Sequence, residues 1–253
     1  MEQATIGLSF IHRIRKESFF GLAGNASNVP IKFMVSTLRL PDPPSWLTFL
    51  QRDDLQDGFL YGTPPEGAQT VHMQIVALNQ LTKQTSTDDF TIQMNEQERI
   101  EYLVELRVRN LNLEDLFTGS HLHSLVGSLR GVWPLEGDLV LVKVASLADV
   151  DGRIYVPSEP RMIIKEGVLV QIGSMYEFSL RLKRTKVEIE GSASCSGSHP
   201  QGEPHVGISA AFSSEYDIDW CKFRLVSEIF CESFRTRWVY FLHWTPKSMP
   251  GVI

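Results

Sequence analysis

The chain has 253 residues, of which 43% are hydrophobic and 21% are charged, so its composition argues against wholesale disorder. Its net charge of -6 lacks the basic excess that a nucleic-acid backbone requires, which argues against nucleic acid as a partner. No apolar run is long enough to span a bilayer, and Met1–Thr5 lacks the basic and apolar regions of a secretory signal. Alone, these features predict a chain that is not exported.

Two features favour an exported chain instead. Asn25, followed by Ala26 and Ser27, forms an acceptor sequence for N-glycosylation. Cys195 and Cys221 lie in a polar, loop-rich tract that is compatible with an oxidised pair, and a third cysteine is then left unpaired.

The length allows one large domain or two modest ones, and we expect two. The first part of the chain predicts short strands, because apolar and polar residues alternate along it with a period of two. A polar turn is predicted at Gln80–Asp89, and the character of the chain changes near Asn95–Arg99. Residues 1–97 therefore predict a β-sandwich. Its predicted strands are Ile6–Ile14, Ile31–Val35, Trp46–Phe49, Phe59–Tyr61, Thr70–Asn79 and Phe90–Met94.

The second part predicts strands and helices in the order βαββαβ. Asn112 is a candidate cap for the first helix, which Gly119 and Ser120 break or kink. This order is typical of a four-stranded sheet with helices on one face, so residues 98–226 predict a ferredoxin-like α+β domain. Its predicted strands are Tyr102–Val108, Leu139–Val144, Val168–Ile172 and Tyr216–Val226, and its second helix is predicted within Met175–Val187. Residues 227–253 lose the pattern and predict a poorly ordered tail.

Candidate sites for metal ions or catalysis are weak. His121 and His123 diverge if they lie on a helix, because shared ligation there needs a spacing of three or four. Cys195 with His199 and His205 lacks the second cysteine pair of a typical zinc site.

Acidic residues give no stronger signal. Asp149 and Asp151 form a turn with Gly152 and not a calcium loop, since the closing glutamate is absent. Asp217 and Asp219 alternate with apolar residues on one strand, which a solvent-facing side explains. The sequence therefore predicts no enzyme, no cofactor and no metal site.

Ten short motifs give the chain a resemblance to a known family. In order and in register, they resemble the ectodomain of alpha- and epsilon-sarcoglycan, and the first half resembles the cadherin-like module shared with dystroglycan. The motifs are Phe10-Ile-His, Glu17-Ser-Phe, Pro44-Ser-Trp-Leu, Gln51-Arg, Gly58-Phe-Leu-Tyr-Gly, Tyr102-Leu-Val-Glu-Leu, Val132-Trp-Pro, Asp151-Gly-Arg, Lys165-Glu-Gly-Val and Asp219-Trp-Cys-Lys.

The resemblance implies a structural, non-catalytic subunit of the sarcoglycan complex at the extracellular face of the muscle plasma membrane. Implied partners are other sarcoglycans and, through them, the dystroglycan and dystrophin assembly. The family has a signal peptide and one transmembrane helix, so the resemblance implies membrane attachment through a segment missing from this chain.

The resemblance also implies a disulfide. Of four family cysteines near the end of the ectodomain, the second and fourth match Cys195 and Cys221, whereas the first and third fall near Arg181 and Ile208. If the lost pair was bonded together, the remaining pair is bonded too. Asn25 is the one glycosylation acceptor that remains, and Cys231 has no counterpart.

Two other functions stay open at this stage. A soluble secreted adhesion or glycan-binding module is the alternative, because the sequence contains no membrane helix. An unrecognised hydrolase is the third hypothesis, and only scattered carboxylates and histidines support it.

Overall fold

The computed structural model describes residues 1–21, 28–96, 99–133, 137–152, 165–195, 204 and 206–227. The structure is mostly β-sheet with a few helices. We call residues 1–96 the N-terminal unit and residues 99–227 the C-terminal unit.

The N-terminal unit is built from two sheets that enclose one core. Strands β1, β7, β6 and β3 form the first sheet in that order, and strands β2, β5 and β4 form the second. All pairs are antiparallel except β1 with β7, which is parallel. Buried apolar side chains such as Phe33, Leu60 and Ile75 fill the core. The strands are β1 (Glu2–Thr5), β2 (Phe10–Ile14), β3 (Ile31–Thr37), β4 (Leu47–Leu50), β5 (Gly58–Gly62), β6 (Val71–Asn79) and β7 (Thr85–Asn95).

Two predictions for this unit were wrong. The strand predicted over Ile6–Ile14 begins only at Phe10, because the chain turns at residues 6–8, where the φ of Gly7 is +79°. The alternation of Ile6 and Leu8 suggested a longer strand, but both residues lie in the turn and are only partly buried. The turn predicted over Gln80–Asp89 ends sooner, since β7 begins at Thr85 and is polar there because that end of the strand is largely exposed.

The C-terminal unit has one four-stranded antiparallel sheet in the order β11, β8, β10, β9. Helices pack against the face that carries Val104, Leu106 and Val170, and together they form one core around the fully buried Trp133. The elements are β8 (Tyr102–Val108), α1 (Leu113–Thr118), α2 (His121–Val132), β9 (Val140–Ser146), α3 (Leu147–Val150), β10 (Val168–Ser174), α4 (Leu180–Glu190) and β11 (Arg224–Ser227). Strand β8 and the break between α1 and α2 are confirmed.

The fourth strand of this unit differs from the prediction. Ile218 forms a single bridge with Val108, a 3-10 turn follows at Trp220–Lys222, and only then does β11 begin. From Ile218 to Arg224 the chain advances six positions, whereas its partner strand advances three, from Val108 to Glu105. The 3-10 turn accounts for the three extra positions. Alternation alone predicted one strand because the flanking side chains Tyr216, Ile218 and Trp220 are all buried.

The second helix lies later than predicted, because it begins after Ser179. The hydroxyl of Ser179 accepts a hydrogen bond from the Leu182 backbone N–H at 3.2 Å, which caps the helix at its start. The predicted tail, except Ser227, lies outside the described residues.

Candidate functional site

The two units meet along the edge of the C-terminal sheet. The backbone N–H of Ser9 donates a hydrogen bond to the carbonyl of Leu141 at 2.9 Å. The hydroxyl of Thr63 donates another to the carbonyl of Val142 at 2.8 Å. Both carbonyls belong to β9, so the N-terminal unit covers the edge strand that would otherwise be open.

Gln51 fixes the start of the loop that leads to this junction. Its side-chain oxygen accepts a hydrogen bond from the Phe33 N–H at 2.9 Å, and its amide nitrogen donates to the Ile31 carbonyl at 2.8 Å. Gln51 thereby joins the end of β4 to β3, which lies in the other sheet. The next residue, Arg52, projects towards the C-terminal unit.

Arg52 binds two carboxylates of the C-terminal unit at once. Its Nε donates to Glu114 at the start of α1, and its Nη2 donates to Glu166 just before β10. The side chains of Glu114 and Glu166 are only 14% and 8% exposed. Burial alone would lower the pKa of Arg52, but the two carboxylates outweigh it and hold that pKa above its usual value. One cation therefore pairs with two mostly buried carboxylates.

Lys165 and Glu166, which lie just before β10, are also hydrogen-bonded to the start of α1. The Asn112 N–H donates to the Asp115 carboxylate at 2.8 Å, and Lys165 Nζ donates to it at 2.8 Å. The Glu166 N–H donates to the Asn112 side-chain oxygen at 3.0 Å. Burial alone would raise the pKa of Asp115, but the hydrogen bonds from Lys165 and the Asn112 backbone outweigh it and lower that pKa.

Aromatic side chains form the apolar part of the junction. The Phe117 ring of the C-terminal unit lies 5.5 Å from the Phe59 ring and 5.4 Å from the Tyr61 ring of β5, measured between centroids. Tyr61 is buried in the core of the C-terminal unit, although it belongs to the N-terminal one. Its burial, together with the nearby carboxylates of Asp149 and Glu166, raises its pKa to about 12.

A disulfide joins the two cysteines that the sequence singled out. The Sγ atoms of Cys195 and Cys221 lie 2.08 Å apart, and 26 positions separate the residues along the chain. Cys221 belongs to the 3-10 turn that interrupts the fourth strand, and Cys195 follows α4. The bond therefore ties the loop after α4 to the strand segment beside it.

The other predicted site residues are less informative. Asn25, His199, His205 and Cys231 lie outside the described residues. His121 packs edge-on against the Tyr216 ring, with its Nδ1 3.3 Å from the tyrosine hydroxyl oxygen. Across the described ranges, no group of three His, Cys, Asp or Glu residues could hold a metal ion. Within the same ranges, no helix is long and apolar enough to cross a membrane.

Sequence reasoning missed the junction, although it quoted the motifs that build it. Gln51-Arg, Gly58-Phe-Leu-Tyr-Gly and Lys165-Glu-Gly-Val are far apart along the chain and meet only in the folded structure. The quoted motifs contain opposite charges at Arg52 and Glu166, but Lys165 stands beside Glu166, so the sequence does not pair these residues.

Comparison with known proteins agrees with these motifs. Residues 1–95 match the family model described as the sarcoglycan alpha/epsilon N-terminal domain, and residues 99–227 match the sarcoglycan alpha/epsilon second domain. The chain is 30% identical to epsilon-sarcoglycan of Rattus norvegicus over 233 residues, covering 88% of this chain and 51% of that protein. It is 28% identical to alpha-sarcoglycan of Homo sapiens over 229 residues, covering 88% of this chain and 57% of that protein.

The chain thus spans about half the length of the curated relatives it matches. Among solved structures, the tandem Ig repeats of Dlar align with a TM-score of 0.28 and 13% identity, over 70% of this chain and 79% of that one. Two family models in tandem cover almost all of residues 1–227. The chain belongs to the sarcoglycan alpha/epsilon family.

Proposed function

We propose that this chain is a non-catalytic structural subunit of a sarcoglycan complex and acts through protein–protein contacts. The tandem match to both sarcoglycan domains carries this proposal. The placement of three family motifs supports it, because Arg52, Tyr61 and Glu166 join the two units to each other. Residues that hold the two units in one arrangement suit a protein that acts by presenting a binding surface to its partners.

The finer fold names belong to the same proposal. Residues 1–97 are a cadherin-like β-sandwich, and the two-sheet arrangement with β1 parallel to β7 supports this assignment. Residues 98–226 are a ferredoxin-like domain, supported by a sheet in which the fourth and third strands of the unit flank the first. The boundary between the two domains lies at residues 97 and 98.

We place the chain at the extracellular face of the plasma membrane, in muscle the sarcolemma. The disulfide between Cys195 and Cys221 supports an oxidising compartment. Asn25 is the proposed glycosylation site there, and attachment to the membrane comes from a segment outside these 253 residues. The complex in turn connects to the dystroglycan and dystrophin assembly, so that it links membrane and extracellular matrix.

Co-purification tests this function. The full product of the gene, carrying an affinity tag, is expressed in muscle cells with the other sarcoglycan subunits of the same organism. We expect those subunits to be recovered with it after mild detergent extraction. Recovery of the chain from the medium without any of them would favour the alternative, a soluble secreted adhesion or glycan-binding module.

Glycosylation at Asn25 has its own test. The Asn25→Gln variant should have a mass lower than that of the parent chain by one glycan.

A further inference from the structure

The strand β11 is the open edge of the C-terminal sheet. Its partner in the sheet is β8, and β9 at the opposite edge is covered by the N-terminal unit. Among the described residues, no strand pairs with the outer side of β11. An edge strand of this kind presents unpaired N–H and C=O groups that can pair with an added strand.

A groove runs between this edge and helix α4. One half, of about 450 Å³, is lined by residues that include Ile189 and Leu225. The other half, of about 380 Å³, includes Phe178 and Leu225. Both halves share Val226, which is 42% exposed although it is apolar. The groove therefore offers apolar contact beside an open strand edge.

The rim of the groove is basic. The cations Lys183, Lys186, Lys222 and Arg224 line it, against the single carboxylate of Glu190. Lys186 lies 3.9 Å from Glu190, and Lys183 pairs with the exposed Glu177. Among the described residues, neither Lys222 nor Arg224 has an ion pair within 4.0 Å, although Glu105 lies opposite Arg224 on β8. This positive surface stands out in a chain whose net charge is -6.

We propose that the β11 edge binds an extended acidic segment of a partner protein as an added strand. Backbone hydrogen bonds to β11 would supply affinity, and carboxylates of the partner would select the basic rim. Apolar side chains at alternate positions of the partner share one face of the added strand and would enter the groove beside Leu225. This inference rests on the proposed function, because it names a contact surface for a structural subunit, but its test needs no sarcoglycan.

Fluorescence anisotropy with synthetic peptides tests the proposal. The probe is a labelled ten-residue peptide that alternates Val and Glu. One control peptide alternates Val and Lys, and a second replaces each Val of the acidic peptide with Pro, which cannot donate a backbone hydrogen bond. The protein variants are Lys222→Glu with Arg224→Glu, and the matched control Arg15→Glu with Lys32→Glu, which makes the same charge change on exposed residues of the N-terminal unit.

We expect the acidic peptide to bind at least tenfold more tightly than either control peptide. The change at Lys222 and Arg224 should weaken it at least fivefold, whereas the change at Arg15 and Lys32 should have less than a twofold effect. Equal binding of the acidic peptide and the Pro peptide would overturn strand addition, and equal weakening by both variants would overturn the assigned surface.

Two further outcomes would also overturn it. If light scattering finds a dimer that the Lys222 and Arg224 change dissociates, the edge binds a second copy of this chain instead. Binding to phosphatidylserine vesicles without binding to the acidic peptide would give the basic rim to a lipid surface. If co-purification with sarcoglycans fails while the acidic peptide binds as expected, the proposed function fails and this surface assignment stands.

Discussion

The guanidinium of Arg52 is bound to the carboxylate of Glu166, which lies 114 positions further along the chain. It binds Glu114 through a second nitrogen, so one side chain of the N-terminal unit holds two elements of the C-terminal unit. A guanidinium suits this place because its planar fork presents several donors in fixed directions. The two units are thereby joined by charge as well as by the packing of Phe117.

Removing Arg52 should weaken the junction. Arg52→Ala leaves Glu114 and Glu166 mostly buried, close together and without their cation. Because Arg52 itself is 32% exposed, we expect a loss of about 2 kcal/mol in the free energy of unfolding, between the values for exposed and buried pairs. Arg52→Lys should recover only part of it. Urea denaturation followed by tryptophan fluorescence measures the loss.

The matched control for Arg52 is Arg130→Ala, which breaks an ion pair with the exposed Asp138. This change should alter the free energy of unfolding by less than about 0.5 kcal/mol. Similar losses in both variants would mean that Arg52 does not join the units in the way its contacts indicate.

The Asp115 carboxylate should make stability depend on acidity. Its pKa is lower in the folded chain than the ordinary 3.8, so its stabilisation is present above about pH 4 and is lost as the pH falls through the folded pKa. Asp115→Asn should therefore be less stable than the parent near pH 7, with the difference shrinking towards pH 2. Thermal unfolding across this range measures it, and a constant difference would contradict the contact with Lys165.

The disulfide should contribute substantially to stability. For cysteines 26 positions apart, the loss of chain entropy in the unfolded state corresponds to roughly 3–4 kcal/mol. The double variant Cys195→Ser with Cys221→Ser should lose about this much free energy of unfolding, and reductant should then have no further effect on its stability.

The pairing itself has a separate measurement. Intact mass after thiol alkylation should show one reactive thiol in the unreduced parent. Loss of a disulfide in Cys231→Ser instead would show a different pairing.

Two glycines should respond oppositely to the same substitution. A Cβ at Gly62 would clash with the backbone carbonyl oxygen of Trp46, which cannot move without disturbing β4. Gly62→Ala should therefore cost about 3 kcal/mol or more. Gly127 lies inside α2 with open space around it, so Gly127→Ala should gain about 0.5–1 kcal/mol. Thermal unfolding of the two variants checks both signs.

Local patterns predicted most elements of this fold, and the failures have physical causes. Strand β8 was predicted from Tyr102 to Val108 because its alternation is uninterrupted by a turn. The 3-10 turn at Trp220–Lys222 was missed because the buried residues Tyr216, Ile218 and Trp220 alternate with the period of a strand up to its start.

The junction could not be predicted from local patterns. Arg52 and Glu166 each look like an ordinary surface charge, and only the tertiary fold brings them together and buries Glu166. The disulfide differs, because the comparison of family cysteines singled out Cys195 and Cys221 before any geometry was known.

The most direct test of the central claim is the composition of the purified assembly. The tagged full product of the gene, expressed with the other sarcoglycan subunits, is extracted in mild detergent and analysed by size-exclusion chromatography with light scattering. We predict one peak that contains this chain together with the other subunits. A peak that contains this chain alone, while the remaining subunits assemble without it, would contradict its role as a subunit of the complex.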